Sequence, residues 1–412
     1  MKRRLSVVSV CVVVMAALAA ASLIAPVVAT AQTAVSVHTE TNLNLRGGPG
    51  MQFPVVATVY AGSTLPAVAR SWDSAWVRVA DGPVYGWLSK TYLQVSGDLG
   101  SLPVGDTNST PGPALPTIPP VPADGTLESL DLYVSTANVN YYRMTYWSDG
   151  LRIKGFYAEP KSPGPHAAVI YNRGGNRNTG ALTGVELGPL AEVGFVVVAS
   201  QFRGGGGSEG FSQFGGDDLH DVTNLIPLLK SRPAVDPNRI AIIGGSSGAM
   251  MTYLALEAQT LKGTHDIKAA VTVSGLADLV SWGKERPDIT TPFYMEMFGA
   301  LPAQNPAPYV VRSAVDWAWR IRVPIQLEHG DADDTVSVTQ SQRLYGLLRS
   351  YGDTANLIIY PGGQHGLGNY LGGMPDAFHW FQTYVGGPND VFDWNAHEDD
   401  IRWAIIALDK AK

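Results

Sequence analysis

Apolar positions fall into distinct regimes along the chain. Residues 5–28 form a near-continuous apolar run rich in Val and Ala. Residues 34–96 are dense in Val, Tyr and Trp, with turn signals at short spacing. Segments 55–60, 64–68, 76–80 and 85–89 read as short strands. Leu45-Arg46-Gly47-Gly48-Pro49-Gly50 reads as a turn-rich loop and Asp81-Gly82-Pro83 as a tight turn. Several short strands in so few residues predict a small all-β barrel. Residues 97–127 hold Pro103, Pro111, Pro113, Pro116, Pro119, Pro120 and Pro122 among Gly, Ser and Thr, the composition of an extended, semi-rigid linker.

From 128 to 390 the pattern changes to alternating strands and helices. Strand-like runs occupy 151–157, 167–171, 195–200, 240–243, 269–273, 323–327 and 357–360, and helical stretches 181–192, 218–230, 248–261, 337–350 and 375–384. The later strands are short and continuously apolar, as in a parallel sheet covered on both faces. The fold class expected is therefore α/β, a doubly wound, mostly parallel sheet preceded by the small all-β unit. Residues 276–322 break the alternation and read as a cap or an excursion over the sheet. Residues 391–412, with Trp394 and Trp403, read as a helical extension packed on the domain.

Composition narrows the class. The chain has 412 residues, 45% hydrophobic and 16% charged, too apolar for a disordered protein. A formal net charge of −7 gives no basic surface that would recommend nucleic acid as a partner. Lys2, Arg3 and Arg4 precede the first apolar run, and Ala29-Thr30-Ala31 follows it with small residues at a cleavage site. Residues 1–31 thus read as a secretory signal peptide, and the expected location is secreted or on the exterior of the cell envelope. No later segment has the uninterrupted apolar length of a membrane span, so none is expected after cleavage. The single cysteine, Cys11, falls in the leader, which leaves the mature chain without disulfides, a Cys nucleophile or a Cys-bound metal.

Residues 34–96 carry Leu43-Asn44-Leu45-Arg46-Gly47-Gly48-Pro49-Gly50, Ala61-Gly62, Trp76-Val77, Gly86-Trp87-Leu88 and Tyr92-Leu93. In this order they resemble the bacterial SH3-like domain. The resemblance implies a binding module for cell-wall peptide or a partner protein. Trp76 and Trp87 are equally readable as core or as ligand contacts.

The strongest chemical signal is Gly244-Gly245-Ser246-Ser247-Gly248. It follows an apolar strand and opens a helix, the context of a nucleophile elbow. Flanking glycines suit a strained, tightly packed turn, and Ser246 then projects above the sheet at a helix N-terminus. A nucleophilic serine needs a base, and the base needs an acid to orient it. In this fold order, strand 323–327 is followed by Asp331, Asp333 and Asp334, which compete as the acid. Strand 357–360 is followed by a Gly-rich loop holding His365, the expected base.

Further motifs stand in order around these residues: Phe202-Arg203-Gly204-Gly205-Gly206-Gly207, Gly215-Gly216-Asp217-Asp218, Asp221, His329-Gly330-Asp331-Ala332-Asp333-Asp334-Thr335-Val336 and Tyr360-Pro361-Gly362-Gly363-Gln364-His365-Gly366. Over residues 150–385 the chain resembles the prolyl oligopeptidase family of serine peptidases, which are α/β hydrolases. The resemblance implies that Asp333, first of the Asp-Asp pair, is the catalytic acid. It also implies cleavage of peptide bonds.

The oxyanion donors are expected to be the backbone amide of Ser247 and one from Asn172-Arg173-Gly174-Gly175-Asn176, with Gly175 ahead of Gly174. Where the family usually has His-Gly-Gly-Pro, Arg173 and Asn176 flank the two glycines. Thr335 replaces an Arg often found after the Asp-Asp pair. The family's β-propeller has no counterpart here. Glycines 204–207 lack the Gly-Lys-Ser/Thr ending of a phosphate loop, and the histidines are scattered, so no cofactor or metal is expected. The expected substrate is a peptide or small acyl compound. Ester hydrolysis by the same triad and an inactive binding protein are the alternatives.

Overall fold

The computed structural model describes residues 35–51, 53–81, 84–105, 122–368, 373–387 and 398–411. The leader, Gly82-Pro83, most of the Pro-rich segment and Trp394 lie outside the described residues. The chain divides at Pro119/Pro120 into two units.

In the first unit, strands β1 (Ser36–Thr39), β2 (Leu43–Arg46), β3 (Val55–Val59), β4 (Thr64–Arg70), β5 (Trp76–Asp81), β6 (Val84–Ser89) and β7 (Leu93–Ser96) form one antiparallel sheet in the order β3-β2-β6-β5-β4-β1-β7. Residues 45 and 46, read as loop from sequence, belong to β2. Leu45 is fully buried in this small core with Val37, Val77, Val79 and Leu88. The turn is confined to the residues after Arg46, where the Arg46 guanidinium donates to the carbonyls of Met51 and Phe53. The two tryptophans separate. Trp87 is buried, whereas Trp76 lines a surface groove with Asn44, Met51 and Tyr92.

The second unit holds nine strands: β8 (Leu127–Ser135), β9 (Val139–Ser148), β10 (Leu151–Pro160), β11 (His166–Asn172), β12 (Val196–Ser200), β13 (Val235–Gly245), β14 (Ile267–Val273), β15 (Ile325–Gly330) and β16 (Ala355–Tyr360). Their order is β16-β15-β14-β13-β11-β12-β10-β9-β8. β12, β11 and β13 to β16 run parallel; β8, β9 and β10 add an antiparallel edge. β8 and β9 were not legible as strands, because their apolar residues are interleaved with polar ones and lack the continuous run that marks β11 or β13.

The helices are α1 (Gly188–Glu192), α2 (His220–Thr223), α3 (Leu225–Lys230), α4 (Ser247–Lys262), α5 (Leu279–Glu285), α6 (Pro287–Phe298), α7 (Ala307–Val310), α8 (Thr339–Ser350), α9 (Met374–Val385) and α10 (Glu398–Lys410). They cover both faces of the sheet. On β13, Ile240 and Ile242 pack with Met250, Tyr253 and Leu254 of α4, while Ala241 and Ile243 pack with Phe378 and Phe381 of α9. Burying a side chain of this size stabilises by about 1.5–3 kcal/mol. The helix expected over 181–192 is reduced to its last turns, because Gly180 and Gly184 adopt positive φ and break the start. Residues 276–322 do form an excursion, of helices α5 to α7 between β14 and β15 on the α4 face.

β11 connects to β12 on one side, and the connection from β12 crosses back to β13 on the other. Parallel α/β sheets open a crevice at the carboxyl ends of strands where the order reverses. Those ends here are Asn172 and Gly245.

Candidate active site

β13 runs into Ser246, whose backbone sits at φ 55°, ψ −122°, before α4 starts at Ser247. A side chain in that region is strained by about 1–3 kcal/mol and needs surrounding structure to hold it. Here the Ser246 amide donates to the Val273 carbonyl (2.9 Å), and its own carbonyl accepts from Ala249 and Leu276. Gly248 has no alternative: a Cβ there would stand 2.2 Å from the Asn172 carbonyl oxygen. The elbow therefore abuts the loop that leaves β11.

The candidate acids follow β15. Asp333 brings its buried carboxylate to His365, with Nδ1 2.8 Å from Oδ2 and 3.0 Å from Oδ1. Oδ1 also accepts the amides of Thr335 and Val336, each at 2.9 Å. The neighbouring acids are engaged elsewhere. Asp331 accepts the Gly362 amide, and Asp334 the Thr335 hydroxyl. Burial alone would raise the Asp333 pKa. Hydrogen bonds from His329, His365 and the Val336 amide outweigh it and hold the carboxyl well below the usual range. Because His365 Nδ1 faces a carboxylate, the proton is assigned to Nδ1, which leaves the Nε2 lone pair free to accept.

His329 closes the far side of the same carboxylate, a role that the sequence does not disclose. It is fully buried, with Nε2 2.9 Å from the Val336 carbonyl and 3.3 Å from Asp333 Oδ2, and Nδ1 2.7 Å from the Ser341 hydroxyl. Two acceptors at Nε2 assign the proton there, so Nδ1 accepts from Ser341.

Ser246 and His365 line one cavity of about 660 Å³ together with Gly174 and Gly175. The amides of Ser247 and Gly175 donate to no acceptor among the described residues. The Ser247 hydroxyl donates to the Gly175 carbonyl at 2.7 Å, tying the elbow to the glycine loop. The remaining walls include Leu182, Val185, Met374, and Ile405 and Asp409 of α10. Sequence reasoning gave α10 no place in the site. The excursion touches the site's loops instead: Trp282 Nε1 donates to the Thr335 carbonyl (2.9 Å), and Arg177 pairs with Glu296.

The motif Phe202-Arg203 is likewise structural. Arg203 is buried against Asp221 (2.7 Å) and reaches Asp149 (2.8 Å), anchoring the Gly-rich loop after β12. Such a pair is costly to break from one side only.

The sequence model of the prolyl oligopeptidase family matches residues 183–387, and that of the bacterial SH3 domain residues 41–94. An uncharacterized peptidase of Bacillus subtilis, YtmA, is 33% identical over 212 residues, covering 52% of this chain and 80% of the relative. The chain belongs to the prolyl oligopeptidase family.

Within this serine peptidase family, dipeptidyl-peptidase 5 of Porphyromonas gingivalis is 25% identical over 226 residues, 48% of this chain and 30% of that protein. The chain thus spans most of one relative and under a third of the other. Among solved structures, the acylaminoacyl peptidase of Pyrococcus horikoshii superposes with a TM-score of 0.51 at 24% identity, over 64% of this chain and 44% of that one. An acetyl xylan esterase from Paenibacillus superposes with a TM-score of 0.51 at 19% identity, over 63% and 88%. These likenesses show a shared α/β-hydrolase fold. Among the described residues, no helix is long and apolar enough to cross a membrane.

Proposed function

We propose that this prolyl oligopeptidase-family chain is an exported serine peptidase working through Ser246, His365 and Asp333. The reading rests on the hydrogen bond between His365 and Asp333, with Ser246 and His365 on one cavity wall. His365 Nε2 takes the Ser246 hydroxyl proton as Oγ attacks the acyl carbon. The Asp333 carboxylate holds the imidazole and stabilises its charged form. The amides of Ser247 and Gly175 receive the oxyanion, each such donor being worth about 10²–10³ in rate. His365 then protonates the leaving amine, the acyl–Ser246 ester forms, and water, deprotonated by His365, releases the acid and restores Ser246.

The SH3-like unit supplies a second interaction, with a cell-wall or protein ligand. The Pro-rich segment acts as a tether that raises the local concentration of the catalytic unit near that ligand. Export rests on residues 1–31 and is tested by fractionating cells that express the full chain.

Labelling of the mature chain by a fluorophosphonate, beside Ser246→Ala, tests the core of the proposal. Labelling confined to the wild type supports it. A folded wild type that does not label would defeat it. Turnover of aminoacyl amides against esters of the same acyl group then decides the bond, since the same triad can cleave either.

A further inference from the structure

Arg173 stands where the family pattern has histidine, yet its side chain points into the protein rather than to solvent. It is 3% exposed. Nε donates to the Gln201 carbonyl (3.0 Å), Nη1 to the carbonyls of Gly174 (3.2 Å) and Thr179 (3.0 Å), and Nη2 to the Arg177 carbonyl. Every acceptor is a backbone carbonyl, and three of the four belong to the loop of residues 174–179. The guanidinium also lies over the Phe202 ring, 5.3 Å from its centroid. The nearby carboxylate, Asp218, is committed to the amides of Gly215 and Gly216 at 2.9 and 2.7 Å.

The consequence for the site follows from peptide geometry. In a trans peptide the C=O and N–H point in opposite directions. The Gly174 carbonyl is held by Arg173, so the N–H of the same peptide unit, that of Gly175, points away from the guanidinium. The following carbonyl, of Gly175, is fixed by the Ser247 hydroxyl. The Gly175 residue is thereby pinned through both flanking peptide units, with its amide unpaired at the cavity that holds Ser246. Its φ of +77° and a Cβ position 2.1 Å from the Thr179 oxygen require glycine there.

We infer that Arg173 is a positioning residue for the oxyanion hole. It sets the direction of the Gly175 N–H by binding the carbonyl of the same peptide, and polarises that peptide toward a developing negative charge. The inference rests on the reading of Ser246 and Gly175 given above. Burial pulls the guanidinium pKa down to about 10, which still leaves it charged at neutral pH. A buried cation whose hydrogen bonds all go to backbone carbonyls favours an anion on the far side of those dipoles, which is where the oxyanion forms.

The test compares wild type, Arg173→Met, Arg173→Lys and Ser246→Ala on para-nitrophenyl acetate and its thionoester analogue. Thionoester sulfur accepts hydrogen bonds poorly, so the rate ratio of oxygen to sulfur substrate reads the oxyanion donors directly. Arg173→Met is expected to lower kcat by about 10²-fold, the scale of a lost oxyanion donor, with KM within about twofold. The oxygen-to-sulfur ratio should fall with it. Arg173→Lys keeps the charge but not the fork and should lose about tenfold, with an intermediate ratio. If Arg173→Met does not fold, Arg173→Lys carries the same readout. A folded variant with unchanged kcat and unchanged ratio, or with its whole loss in KM, overturns the inference. Full activity in Ser246→Ala would instead overturn the reading of the site itself.

Discussion

His329 Nε2 stands 3.3 Å from Asp333 Oδ2, on a carboxylate whose same oxygen is bonded to His365. The Asp333 carboxylate thus serves two imidazoles, one fully buried and one at the cavity. His329 is not placed to touch a substrate. Its effect passes through the ionisation of Asp333.

His329→Asn removes the donor at Nε2, and His329→Gln replaces it with an amide of similar reach. Hydrogen bonds to a charged group contribute about 1.5–3 kcal/mol. The Asp333 pKa is depressed, so its contribution to stability is present above the ordinary carboxylate range and is lost as pH falls through the folded value. Raising that folded value moves the loss to higher pH. The acid-unfolding midpoint of His329→Asn is therefore expected above that of wild type, with His329→Gln between. Coincident midpoints for all three would show that His329 does not support the carboxylate.

Asp333 and its two neighbours should differ sharply in kinetics. Asp333→Asn turns an acceptor into a donor opposite His365 Nδ1, forcing the wrong tautomer. A loss of about 10⁴ in kcat is expected, the scale seen when a triad acid is so replaced. Asp331→Asn weakens an exposed bond to the Gly362 amide, and Asp334→Asn a bond from the neighbouring Thr335 hydroxyl; neither touches His365, and stability should stay within about 0.5 kcal/mol. Steady-state rates of the three variants decide it. A comparable loss in Asp334→Asn would reassign the acid.

The contrast with what the sequence alone discloses is physical. The elbow was readable because a backbone forced through Ser246 at φ 55° leaves glycines as its mark at fixed spacing. The position of His365, in the loop after the last strand, was likewise readable. The choice among three aspartates was not readable from the residues without a resemblance, because it depends on which side chain a turn aims across to β16's loop. The place of α10 was harder for another reason. Ile401, Ala404 and Leu408 form a buried stripe on α10, but the surface they cover includes Leu187 and Leu190, some two hundred residues earlier. A stripe announces that something is covered and does not say what. The roles of Arg173 and His329 were likewise invisible, since both act on groups distant in sequence or on backbone carbonyls.

Helix α10 lies beyond the segment matched by the family and brings Ile405 to the cavity beside Ser246. Ile405→Trp fills space at that wall without touching the reacting groups. For acyl groups larger than acetyl, KM is expected to rise about tenfold, a loss of about 1.4 kcal/mol of binding, with kcat held. Acetyl esters should be affected about twofold or less. A Trp variant that treats large and small acyl groups alike would remove α10 from the substrate wall.

Glu328, one residue before His329, is fully buried. Its Oε1 accepts from Gln326 Nε2 (2.8 Å), Tyr360 approaches Oε2 at 3.5 Å, and the same Tyr360 hydroxyl donates to Asp376 at 2.6 Å. Burial pushes the Glu328 pKa from 4.5 up to about 8. The charge of Asp376 adds to that rise, while the bonds from Gln326 and Tyr360 oppose it. The sign follows from linkage. Below 4.5 both folded and unfolded chains carry the proton, and stability does not depend on this group. Between 4.5 and about 8 the unfolded chain releases it while the folded chain keeps it, so rising pH favours unfolding. The slope approaches about 1.4 kcal/mol per pH unit, and it vanishes above the folded value. Glu328→Gln presents a neutral group of the same shape and removes the slope. In urea unfolding, the variant is expected to match wild type near pH 4 and to exceed it in stability by a growing margin toward pH 8. A wild type whose stability does not fall relative to Glu328→Gln across that window would mean that Glu328 is ionised in the fold, with its charge met by the Gln326 donor.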